Sequence, residues 1–336
     1  MTHISSQTGK GAEFIASLAC FSSTLESYGY PKPGNVHRFA DAEDTTLLHF
    51  LASSVAIFPP LIQAGKVGRR IGKAEIPASD AEIGLRTLEC VKSTREWGVH
   101  QNTNLGIILL LVPLVIAAGA ALGEIHDHSK KNLRSWLKRI LESSGPSDAI
   151  YVGQAIALAS PSGLGTASKF DIRLKEFESE IKADEATLID LFTPAGKIDL
   201  IASEYITNFQ ITFEDSVPFI TKLEKGFCLE ERNVLLFLHL LSSYIDSHIA
   251  RNKGEAMAKA IRQEMKDLGT PEKLLANPDL LWNFDQRLQH QKINPGTIAD
   301  LTAAGLFVSM LNKFQEPDFE GLDFCQPLMT EDFSEK

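Results

Sequence analysis

Acids, amides and cations recur beside glycine or proline along this chain, in clusters whose chemistry suits a phosphorylated ligand. The first is Glu26 followed by Tyr30-Pro31-Lys32-Pro33-Gly34-Asn35-Val36. Proline fixes its own dihedral and discourages helix before it, so the run ends the helix that carries Glu26. Lys32 suits a phosphate clamp, and Glu26 suits a metal or a sugar hydroxyl, with Asn35, His37 and Arg38 nearby. A Pro/Gly turn with solvated charges is the plainer reading of the same residues.

Asn102-Thr103-Asn104-Leu105-Gly106 stands at the mouth of a long apolar run. Two amides at the positive end of a helix suit an anion or a nucleobase, and suit ordinary capping as well. Ser162-Gly163-Leu164-Gly165-Thr166 is like a fragment of a phosphate loop, without the Lys-Ser/Thr ending of a P-loop. Asp171, Asp199, Glu204 and Asp246 are the carboxylates available for magnesium, at no spacing diagnostic of a metal site, so their grouping depends on the fold. Asp246 precedes Arg251 and Lys253-Gly254, where a guanidinium fork and an ammonium can hold phosphoryl groups, or simply favour a helix C-terminus. Asn294-Pro295-Gly296-Thr297-Ile298-Ala299-Asp300 reads as a turn into a helix, with Thr297 as cap and Asp300 completing an acidic capping box; Asn294 or Asp300 also suits ribose or metal. Asp44 and Thr45 read as caps, and Ser53 as a packed hydroxyl or a ligand contact.

Other chemistries find less support. His126-Asp127-His128 offers metal-binding side chains, but residues two apart diverge on a helix. There is no Gly-x-Ser-x-Gly, no His-Glu-x-x-His and no pair of Cys-x-x-Cys motifs. The four cysteines, Cys20, Cys90, Cys228 and Cys325, are widely spaced, which argues for packed thiols over a disulfide scaffold.

The elements that must position these clusters read as helices. Apolar periodicity predicts helix over 12–28, 45–58, 78–97, 105–122, 130–141, 149–159, 185–192, 200–213, 234–248, 254–268, 279–289 and 297–311. Strand candidates at 198–202 and 210–213 fall largely inside helical periodicities, and the charged stretch 166–180 reads as irregular. The expected fold is all-α, a single large multi-helix domain over 12–313 with functional clusters at helix ends and loops, between a flexible N-terminal segment 1–11 and a C-terminal extension 314–336.

A chain of 336 residues with 44% hydrophobic content can bury a substantial core. With 33 basic and 43 acidic residues its net charge of -10 disfavours broad attraction to nucleic acid or anionic lipid. The uncharged run 105–122 approaches the length of a membrane span, but Gly106, Pro113 and Gly119 and the lack of flanking aromatic anchors favour a buried central helix. Without a secretory signal pattern, the expected address is cytoplasmic.

Taken in order, these clusters make the chain resemble the triphosphoribosyl-dephospho-CoA synthase family. The resemblance spans roughly 24–310 and rests on Glu26 with Lys32-Pro33-Gly34-Asn35-Val36, Asn102-Thr103-Asn104-Leu105-Gly106, Gly163-Leu164-Gly165 with Asp171, Asp199 with Ala202 and Glu204, Asp246 with Arg251 and Lys253-Gly254, and Asn294-Pro295-Gly296 with Ala299-Asp300. It implies an all-helical transferase that joins the triphosphoribosyl part of ATP to the ribose 2′-hydroxyl of 3′-dephospho-CoA and releases adenine. Under that resemblance Lys32, Arg251 and Lys253 bind triphosphate, Asp171 and Asp246 position magnesium, Asn102 or Asn104 recognises adenine or ribose, and Glu26 accepts the acceptor's proton. The partner is 3′-dephospho-CoA or a related small-molecule acceptor, with neither nucleic acid nor membrane, and there is room for a homodimer. Ser162 stands where the lyase-associated members tend to have glycine, and 41–45 lacks their usual arrangement of histidine and aspartate, so the donor carries over better than the acceptor. A nucleotide N-glycosidase and a magnesium-ATP sensor are the competing readings.

Overall fold

The computed structural model describes residues 3–42, 44–124, 130–163, 165, 167–313, 322 and 324. In chain order its helices are α1 (His3–Tyr28), α2 (Leu47–Ala56), α3 (Phe58–Gly72), α4 (Ile83–Glu96), α5 (Leu105–Glu124), α6 (Lys130–Glu142), α7 (Pro146–Ala159), α8 (Phe177–Ala183), α9 (Leu188–Phe192), α10 (Leu200–Ile206), α11 (Val217–Leu223), α12 (Leu229–Ser243), α13 (Ser247–Lys253), α14 (Glu255–Leu268), α15 (Pro271–Leu275), α16 (Pro278–His290) and α17 (Gly296–Lys313). No β-strand occurs among the described residues, where His37 and Ala40 form an isolated bridge. The expected all-α single domain is what the chain builds.

The apolar run becomes the central helix. In α5, 94% of the most apolar 18-residue window is buried inside the protein, so its hydropathy reflects a helix wrapped by others. α1, α3, α4, α6 and α17 pack on it. Helix α3 departs from expectation, because Pro59, Pro60 and the glycines of 58–72 read as turn signals. The prolines occupy the first turn, where no intrahelical N–H is needed. The glycines serve contact: a Cβ at Gly68 or Gly72 would overlap the carbonyl oxygen of Ile116 or Ala120 on α5.

Two expected long helices are interrupted, each by a carboxylate that satisfies backbone donors. Within 200–213, Asn208 and Phe209 turn left-handed and a π-helical turn follows at Ile211–Ser216. There the buried Glu204 accepts hydrogen bonds from the Ile211 and Thr212 amides at 2.7 and 3.0 Å and from the Thr212 hydroxyl at 2.5 Å. Within 234–248, α12 stops at Ser243, Tyr244 is extended, and Asp246 caps a new helix. The charged stretch also yields α8, which buries Phe177 and Ile181 in a small cluster with Ile150 and Phe170 beside the main core.

Cys20 and Cys90 are free thiols, as expected, and burial pushes Cys20 up to about 12, which leaves it unreactive. Cys228 instead is disulfide-bonded, a correction to the packed-thiol reading. Pairing depends on distance in space, which cysteine spacing does not report. His126-Asp127-His128, Leu164, Thr166 and Cys325 lie outside the described residues.

Candidate active site

The turn after α1 folds Lys32 back into the protein. Its ammonium is fully buried, donates to the Glu26 carboxylate, and reaches Asn35 Oδ1 at 3.0 Å. Burial lowers the Lys32 pKa and Glu26 opposes that shift. Asn35 Nδ2 in turn donates to Asn294 Oδ1 at 2.9 Å, across 259 positions of sequence. Lys32 is therefore the counter-ion of Glu26 in this structure, and not the open phosphate clamp that the sequence suggested.

Residues missed in the sequence hold this turn. Gly34, at φ +78, donates its amide to Asp285 Oδ1 at 2.8 Å, and His37 Nε2 lies 3.0 Å from Asp285 Oδ2. His37 Nδ1 accepts from the Phe39 amide at 3.2 Å, so the network assigns the proton to Nε2. Gln289 Nε2 donates to the Asn35 carbonyl at 2.8 Å. A signal was available: Asp285 falls on the same helical face as Leu281 and Leu288, where an acid must find buried partners.

Asp246 fastens two helix starts together. Its Oδ1 accepts from the Ile249 amide of α13 at 2.7 Å, and its Oδ2 from the Ile298 amide of α17 at 2.8 Å. Burial raises its pKa against those bonds. The Thr297 hydroxyl accepts from the His248 amide at 3.1 Å and from Ser247 Oγ at 3.0 Å, and His248 Nδ1 lies 2.9 Å from the Asn294 carbonyl. Thr297 thus bonds across to α13 in place of the expected capping box, and Asp300 is released from that role.

Asp300 sits one turn into α17 against the first turn of α5, where a Cβ on Gly106 would overlap its carboxylate. It keeps partial solvent access and accepts no hydrogen bond from the described residues. Its pKa is pushed well above the usual carboxylate range by burial and then by the charges of Glu26 and Asp246, while Arg251 pulls it down. Glu26, Asp246, Arg251 and Asp199 thus lie within electrostatic reach of Asp300.

Two cations, Arg251 and Lys253, stand in the last turn of α13. Asp199 caps α10 through the Ala202 amide at 3.0 Å and pairs with Arg251. Gly163, at φ +73, packs on that arginine: a Cβ there would lie 3.0 Å from Arg251 Cβ. Gly165 has open space around it, and Lys253 is exposed at the end of α13. Beyond Ala159, a depression is lined by Thr94, Arg95, Asn102 and Asn104. Asn102 Oδ1 caps α5 through the Leu105 amide at 3.2 Å, while Asn104 is buried with its Nδ2 unpartnered. Thr103 is tied to Ser53 of α2 by a 2.6 Å hydroxyl contact, which makes Ser53 a packing residue.

Two expected members stand apart. Asp171 accepts from its neighbour Arg173 at 2.5 and 2.9 Å and from backbone amides, and Arg173 pulls its pKa below the usual range. Glu204 is enclosed at the π turn, with no solvent access. Among the described residues no three His, Cys, Asp or Glu side chains converge as a metal centre. The expected carboxylate set of Asp171, Asp199, Glu204 and Asp246 is accordingly dispersed, because Asp171, Glu204 and Asp246 each satisfy backbone donors.

Cations, amides and an acid without a donor among the described residues thus stand at the helix ends of an all-α domain. Over residues 12–318 the chain matches the ATP:dephospho-CoA triphosphoribosyl transferase family, and it belongs to that family. Its general activity is that of a triphosphoribosyltransferase-like enzyme. A crystal structure from Archaeoglobus fulgidus, whose proposed identity is a triphosphoribosyl-dephospho-CoA synthase, shares the fold with a TM-score of 0.57 and 24% identity, covering 78% of this chain and 98% of that one. No curated protein matches the chain.

Proposed function

We propose that the protein transfers the triphosphoribosyl group of ATP to a hydroxyl of 3′-dephospho-CoA or a related cofactor precursor, releasing adenine, in the cytoplasm. The observation that carries this reading is the placement of Asp300 against Gly106 at the start of α5, within electrostatic reach of Glu26, Asp246 and Arg251, in a chain of this family. Bond breaking is at ribose C1′, so the triphosphate acts as a handle.

Arg251, Lys253 and the backbone at Gly163 and Gly165 bind the triphosphate, an arrangement of fork, point charge and open amides suited to phosphoryl oxygens. A magnesium ion would be held chiefly by the phosphates and would neutralise their charge, because the Asp199 oxygens are taken by the Ala202 amide and Arg251. Asn104, with its unpartnered amide, recognises base or ribose, and Asn102 holds the start of α5 in place. Asn35 and Asn294 hold the Glu26 side of the cleft. Glu26 accepts the proton of the attacking hydroxyl, with Lys32 keeping the pair neutral before that step.

The test is a product assay by mass spectrometry with ATP, magnesium and a panel of hydroxyl-bearing acceptors. Adenine release with a coupled product is expected. Adenine release without any acceptor would identify an N-glycosidase, ADP would reject cleavage at C1′, and binding without turnover would identify a sensor.

A further inference from the structure

Each acid of the cleft except one already has a donor. Glu26 has Lys32, Asp246 has two helix-start amides, and Asp199 has the Ala202 amide and Arg251. Asp300 has none among the described residues, yet it is held in place by α17 and by the close approach of Gly106, and it remains partly exposed. The charges that face it are Glu26 from α1, Asp246 and Arg251 from α13, and Asp199 from the start of α10.

We propose that Asp300 is the general acid that protonates adenine as it leaves ribose C1′, a role that rests on the transfer reaction proposed above. As the C1′–N9 bond breaks, its electron pair goes to the purine, and the Asp300 proton passes to a ring nitrogen of that base. The acceptor oxygen bonds to C1′ and gives its proton to Glu26. One carboxyl group thus loses a proton and the other gains one, and exchange with solvent restores both. A base and an acid in one site require environments that differ: Glu26 is paired with a cation, whereas Asp300 faces carboxylates and is surrounded by protein. The upward shift of Asp300 follows from that placement and keeps its proton available to the leaving group.

The experiment compares the full-length protein with Asp300→Asn, using ATP and 8-azaadenosine triphosphate, whose base departs more readily as an anion. With ATP the variant should lose on the order of 10²- to 10³-fold in kcat while its affinity for magnesium-ATP stays close to the parent's. With the aza donor the deficit should shrink to roughly tenfold or less, because little protonation is required. The decline in kcat at high pH, which reports loss of the acid's proton, should disappear. Equal deficits with both donors, accompanied by a shifted magnesium dependence, would make Asp300 a metal ligand and overturn the proposal. Unchanged kcat with ATP would also overturn it, and calorimetric magnesium-ATP binding by the variant establishes that it is folded. Failure of the unsubstituted protein to release adenine would instead overturn the transfer reaction itself.

Discussion

Glu204 and Asp300 are acids with upward-shifted pKa values in different parts of the molecule, and they are opposites in bonding. Glu204, at the π turn, is sealed from solvent and accepts three hydrogen bonds from Ile211 and Thr212. Asp300, in the cleft, accepts none from the described residues and keeps access to solvent. Burial is the leading cause of both shifts, so the shift by itself does not tell structure from chemistry. The difference lies in satisfaction. An acid that satisfies backbone donors shapes the chain, and an acid left without donors in an accessible cleft is available to a ligand.

That distinction is most severely tested at Glu26, which is buried and paired with one cation. Lys32→Met should strip the carboxylate of its partner and lower folding stability by about 3–5 kcal/mol, since an uncompensated buried charge remains. Adding Glu26→Gln should recover much of that loss while leaving the protein inactive. Urea unfolding midpoints at constant m-value give the first result and adenine release the second. Equal midpoints for parent and Lys32→Met would mean that the pair is not what holds the turn.

At Glu204 the effect should be smaller and confined to stability. Glu204→Gln keeps one acceptor oxygen and loses the other, at a cost of about 1–3 kcal/mol. The parent carries a pH signature as well. With a folded pKa raised from 4.5 to about 7, Glu204 contributes stability that is complete below the unfolded value and is lost as pH rises through the folded one. Unfolding free energy of the parent should therefore fall between about pH 4.5 and pH 7 by on the order of 3 kcal/mol from this group, and the variant should lack that slope. A variant that loses turnover while keeping its stability would place Glu204 with Asp300 after all.

The sequence shows the helices, the buried character of α5 and the identity of the acids, because periodicity and composition are local properties. It conceals which acids are satisfied. Asp246 reads as the end of one helix, whereas its oxygens bond the amide of Ile249 in α13, three positions on, and of Ile298 in α17, 52 positions on. Lys32 reads as an exposed clamp because Pro31, Pro33 and Gly34 signal a surface turn, yet Asp285, 251 positions beyond Gly34, draws that turn inward. Helix α3 is hidden by glycines whose purpose is contact with Ile116 and Ala120 on another helix. In each case the deciding partner is distant along the chain, so neither propensity nor spacing reports it.

The cationic rim extends the comparison from acids to bases, and there the expected change is smallest. Lys32 is a buried ammonium with its bonds filled, whereas Lys253 is exposed at the end of α13 beside Arg251 and the loop of Gly163. Lys253→Ala should leave the unfolding midpoint unchanged and weaken magnesium-ATP binding by roughly fivefold, the scale of one solvent-screened charge contact. The loss should shrink as salt is raised, because added ions screen the parent's attraction most where the charge is exposed. Calorimetric titration at low and high ionic strength measures both. A deficit that persists undiminished in high salt would mean that Lys253 becomes enclosed with the triphosphate, which would move it from the open rim to the interior of the cleft.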